Sequence, residues 1–146
     1  MKLRASLRTL LQRARRARAA RPRDFAGVSR AGVCLLRVAA SLRRDPFPRT
    51  LERFGLNDEL PPAQPEAVAD AERWVRWSHA VVPLARNCLR DALAAAVLLR
   101  QSGCRSDLVI GVARDGGEIR AHAWLGADSS AGHGYEVLWR SPSASR

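Results

Sequence analysis

Lysine is all but missing from this chain: Lys2 is the only one among 25 basic residues in 146. With alanine abundant, that arginine excess reads as coding bias rather than selection for phosphate contacts. Aromatic residues make up 5% of the chain, and none interleaves with the arginines of residues 1–23. Without a stacking platform, the basic segment does not read as a single-strand nucleic-acid binder. Long apolar runs are missing too. The longest near the N-terminus, residues 31–42, is broken by Arg37 and falls short of the roughly 20 residues a membrane span needs. Residues 1–20 carry arginine throughout and lack the apolar stretch of a secretory signal. Cys34, Cys88 and Cys104 are odd in number and show no CxxC spacing of a zinc or redox site. The expectations are reduced thiols in the cytoplasm, no metal or cofactor, and neither a membrane nor a nucleic acid as partner.

What is present is a globular composition, 47% hydrophobic, in a chain of one-domain length. The net charge of +11 is unevenly placed. Residues 1–50 hold 14 basic groups against Asp24 and Asp45, whereas the remainder is close to neutral. A basic arm of this kind suits an acidic partner surface, or is simply a solvated helix face.

Periodicity predicts a short amphipathic helix over residues 2–19, with Leu3, Leu7, Leu10 and Leu11 on one face. Arg21-Pro22-Arg23-Asp24 breaks it, and Asp24 is a candidate cap for a second helix over residues 25–43. That helix carries Cys34 among apolar neighbours, a structural position, and ends before Pro46 and Pro48. A proline-rich loop over 56–65 leads to a helix over 66–79, with His79 near its end as a surface residue. Asn87 is a favoured N-cap for a helix starting at Cys88 and stopping at Gly103. Strands follow over 107–112, 118–125 and 135–139, the first two joined by an Asp115-Gly116 turn. Helices followed by an antiparallel sheet make an α+β fold.

Two residues in this layout carry chemistry. Cys88 opens a helix, where backbone amides and the dipole favour a thiolate, and His122 lies on a later strand. Together they are the parts of a thiol nucleophile and its base. Alternation on the strand puts Arg120, His122 and Trp124 on one face and Ala121, Ala123 and Leu125 on the other. If the helix packs on the Arg120–Trp124 face, Cys88 approaches the imidazole. Spacing alone leaves packing roles open for both residues. Cys104, past the helix end, lacks the dipole and reads as structural.

The residues around the pair are more specific. Pro83-x-x-x-Asn87-Cys88-Leu89-Arg90-x-Ala92-Leu93, then Leu98-Leu99-Arg100-x-x-Gly103, then Leu108-Val109-Ile110-Gly111-Val112, then Ala121-His122-Ala123-Trp124 resembles one family. It is similar to the transglutaminase-like cysteine peptidases of lasso-peptide gene clusters, which remove the leader from the precursor. The resemblance covers residues 75–126. It implies a transglutaminase-like or papain-like peptidase core over 66–146, with its catalytic helix packed on a small antiparallel sheet. Residues 1–65 are then a basic helical N-terminal region of the same compact domain.

By that resemblance Cys88 is the nucleophile and His122 the general base, acting through a thioester acyl-enzyme. Asn87 and backbone N–H groups at the helix start are candidates to hold the oxyanion. The family's orienting aspartate has no direct counterpart, because the corresponding position is Gly134. Asp128, six residues past His122, is the preferred third catalytic residue, with Glu136 and then His133 behind it. A dyad without a third member, or a degenerate copy serving as a basic interaction protein, stays open. So does acyl transfer to an amine instead of water. The implied partners are a precursor peptide, a separate leader-recognition protein and an ATP-dependent lasso cyclase.

Overall fold

The computed structural model describes residues 22–126 and 132–141. The expected helix over 2–19 lies outside them. Among the described residues four helices precede a three-stranded sheet: α1 (Pro22–Arg44), α2 (Phe47–Arg53), α3 (Pro65–Ser78), α4 (Cys88–Gln101), β1 (Leu108–Asp115), β2 (Glu118–Leu125) and β3 (Glu136–Arg140). The fold is α+β, as the order of patterns implied.

The centre of the molecule is α4. Asn87 is extended (φ −146°, ψ 120°), and its side chain accepts a hydrogen bond from the Arg90 N–H at 3.1 Å, capping the first turn. From Ala92 to Leu99 every residue is buried, so the helix is enclosed on all sides. Its alanines let α1 and α3 approach one flank and the sheet the other.

Asp24, expected as a cap, instead sits inside the first turn of α1 and is buried. It accepts from Trp74 Nε1 at 2.8 Å and Arg73 at 3.1 Å, tying α1 to α3. Gly27 makes room for that tryptophan: a Cβ there would lie 2.3 Å from the Trp74 ring. By length and composition α1 would suffice to cross a membrane, yet its Ala31, Cys34, Leu35 and Val38 stripe is buried in the common core.

Pro46 and Pro48, expected only to end a helix, also begin one. Proline is tolerated in a first turn whose N–H groups have no intrahelical partner, and α2 starts between them. Pro65 begins α3 in the same way.

β1 and β2 form a hairpin whose two-residue turn, Gly116 (φ 58°) and Gly117 (φ 89°), needs left-handed backbone at both positions. β3 returns along the far edge of β1, giving the order β2-β1-β3, with a bulge between Ile110 and Gly111. The register puts Leu108 beside Leu125 and Ile110 between Ala123 and Trp139. This set joins the helical core. The helices therefore cover the Ala123–Leu125 face and not the Arg120–Trp124 face. Trp124 and Val109 are buried on the opposite side, where Trp124 packs over Gly111 and Gly132.

Candidate active site

Cys88 and His122 line the same cavity, a cleft of about 340 Å³ between α3, the start of α4 and β2. Cys88 is the first residue of α4 and is half-buried, so the Asn87 cap fixes where its side chain begins. The N–H groups of Cys88 and Leu89 lie in the first turn, where an α-helix offers no internal acceptor. With Asn87 Oδ1 committed to the Arg90 N–H, that side chain has only its amino group left to offer a substrate oxygen.

His122 reaches the cleft from an edge strand. Its ring is stacked on Trp124, with centroids 5.9 Å apart and planes 20° apart, and meets Tyr135 at 5.2 Å. The two aromatic rings hold the imidazole from one side. Tyr135 carried no signal in the sequence, because its contact depends on β3 returning beside β1. Trp124 Nε1 is buried without a hydrogen-bond partner among the described residues.

No described carboxylate is hydrogen-bonded to His122. Asp128 lies outside the described residues. Glu136 pairs with Val112, which pairs with Ala121, so it belongs to the sheet face opposite His122 and is exposed. His133 is exposed. Cys104 donates to the Leu99 carbonyl at 3.4 Å and is remote from the cleft, and Cys34 is buried within α1. Burial pushes the Cys34 thiol up, against the pull of Arg37.

The cleft walls are charged in a way the sequence did not announce. Glu72 and Arg76 come from α3, Arg86 from the loop before α4, and Asp91 from the first turn of α4. Desolvation pushes the Glu72 carboxyl up, partly offset by Arg76. His79, expected at the surface, is instead packed behind Asp91, its Nε2 at 2.9 Å from Oδ1. Among the described residues, no group of three or more His, Cys, Asp or Glu side chains is placed to hold a metal ion.

A half-buried cysteine at a capped helix start and a histidine on the adjoining strand, opening into one cleft, is a thiol-chemistry arrangement. The model of the transglutaminase-like superfamily matches residues 33–141, and so takes in the second half of α1 as well as the whole sheet. The chain belongs to the transglutaminase-like superfamily. Members of this superfamily are commonly cysteine hydrolases or acyl transferases. No curated protein and no solved structure matches the chain significantly.

Proposed function

We propose that the chain is a cysteine peptidase that removes the leader from a ribosomally made lasso-peptide precursor. The observation that carries this reading is the shared cleft of Cys88 and His122, at the two ends of the stretch that resembles the lasso-cluster peptidases. Cys88 Sγ attacks the scissile carbonyl while His122 takes the thiol proton. Amides at the start of α4 stabilise the oxyanion as it forms. The tetrahedral intermediate collapses, His122 protonates the departing amine, and a thioester stays on Cys88. Water, deprotonated by His122, then attacks the thioester; the leader leaves with a free carboxylate and Cys88 regains its proton.

The partners this reading implies are a leader-recognition protein that delivers the precursor and an ATP-dependent cyclase that closes the freed N-terminus, all in the cytoplasm. The basic N-terminal arm is then a docking element for an acidic surface on one of them. The superfamily equally accommodates an amine as acyl acceptor.

The test is incubation of a lasso precursor and its recognition protein with the wild type and with Cys88→Ala, His122→Ala and Asp128→Ala, read by product mass. The first two abolish leader release. Asp128→Ala reduces it if Asp128 orients the imidazole, and leaves it unchanged if the enzyme runs on a dyad. Added amine leaves the product a free acid. An amide product at the cleaved carbonyl would replace peptidase by transglutaminase.

A further inference from the structure

We infer that the cleft takes its substrate as an extended peptide strand, added to the open edge of β2 at Ala121 and Ala123. This rests on Cys88 being the nucleophile and specifies how the acyl substrate reaches it. Three observations converge on it.

The cleft borders the edge of β2 and not one of its faces. His122 and Trp124 belong to one face and Ala123 to the other, yet all three line the cavity. A space touched by both faces of a strand lies along its side. One side of β2 is taken by β1. The cleft therefore lies along the other, where no described strand pairs.

The main chain there is turned outward. Gly126 N–H donates to Asp107 O at 2.8 Å, one step beyond the Leu108–Leu125 pair. In an antiparallel ladder, hydrogen-bonded and non-hydrogen-bonded pairs alternate. His122–Gly111 and Trp124–Val109 are thus the bonded pairs, whereas Ala121–Val112 and Ala123–Ile110 are not. Ser141 N–H donates to Leu108 O at 2.8 Å, which confirms the phase: Leu108 turns its carbonyl away from β2. The N–H and C=O groups of Ala121 and Ala123 consequently point away from β1, on either side of His122 in sequence; Ala121 is exposed, whereas Ala123 is 5% exposed and lines the cleft.

The half of the edge beside the cleft lacks the usual guards. The charged residues of β2, Glu118 and Arg120, sit at its hairpin end, Arg120 paired with Asp115; from Ala121 to Leu125 the strand carries no Lys, Arg, Asp, Glu or proline, and its pairing with β1 has no bulge. An unpaired edge with small side chains is a template for strand addition. Because it runs into the cavity holding Cys88, a peptide paired there carries one of its own carbonyls to the sulfur.

The wild-type chain suffices for the test. The probes are acetyl-Xaa-Xaa-Ala chloromethyl ketones, with Xaa a mixture of natural residues, and the three analogues N-methylated at one amide each. Alkylation of Cys88 is followed by peptide mass analysis, with iodoacetamide as the non-peptidic reference. In an added strand only alternate amides face β2. Methylation at a facing amide lowers the Cys88 rate about tenfold or more, the loss of one well-made main-chain hydrogen bond. Methylation at a non-facing amide changes the rate less than about twofold. The strand proposal is overturned, and the nucleophile left standing, if all three analogues react like the parent while iodoacetamide still prefers Cys88. Iodoacetamide labelling Cys88 no faster than Cys104 would overturn the nucleophile, and the strand proposal with it.

Discussion

His79 Nε2 lies 2.9 Å from Asp91 Oδ1, joining the end of α3 to the first turn of the helix that begins with Cys88. The other ring nitrogen completes the brace: Nδ1 donates to the Leu84 carbonyl at 3.2 Å. The His79 side chain is 8% exposed, and Asp91, 18% exposed on the cleft wall, has Arg86 Nε 3.8 Å from its other oxygen. His79 thus fixes the loop that delivers the chain to Asn87 as well as the wall of the cleft.

His79→Ala leaves a mostly buried carboxylate and a carbonyl short of a donor. Stability falls by about 2–3 kcal/mol, as expected for unsatisfied buried polar groups. Urea denaturation at neutral pH measures it. A loss under about 0.5 kcal/mol would mean that water replaces the brace at no cost.

Gly111 is glycine because of a neighbour and not because of its backbone. A Cβ there would lie 2.8 Å from both the Trp124 ring and the Glu136 carbonyl. Gly111→Ala pushes Trp124 off its seat and disturbs the ring on which His122 stacks. The cost is about 1–3 kcal/mol from overpacking. A change in Trp124 fluorescence at unchanged helix content reports the displacement, and an unaltered emission spectrum would contradict it.

The buried Cys34 thiol gives a pH dependence with a definite sign. Its pKa is raised in the folded chain by desolvation, so the unfolded chain releases that proton first. The stability it contributes is fully present below the ordinary thiol pKa of about 8.5, and is lost as pH rises toward the raised folded value. Between about pH 7.5 and 9.5, the urea midpoint of the wild type falls more steeply than that of Cys34→Ala. Parallel slopes would show that Cys34 ionises equally in both states.

The parts of this molecule legible in sequence are those set by neighbours along the chain. Asn87 before an apolar helix repeat announces the cap, and Asp115-Gly116 announces the hairpin, although its turn falls one residue later, on Gly116 and Gly117. Three features were not legible. Pro46 and Pro48 look the same whether they stop a helix or start one, and only tertiary packing of Leu51 and Phe54 decides. Strand alternation defines two faces of β2 without saying which one the helices cover, and the apolar Ala123–Leu125 set took them. His79 and Asp91 are 12 residues apart on different helices, so their pairing exists only after α3 and α4 pack. Cys88 and His122 were found through their flanking residues. Their meeting point at a strand edge came from the fold.

The most direct measurement is site-resolved alkylation of the native chain by iodoacetamide at neutral pH, in the wild type and in His122→Ala. If Cys88 is a nucleophile assisted by His122, it reacts at least about tenfold faster than Cys104, and buried Cys34 is slowest. His122→Ala then lowers the Cys88 rate about tenfold or more without changing that of Cys104. Similar rates at Cys88 and Cys104, or a Cys88 rate indifferent to His122, would contradict the account.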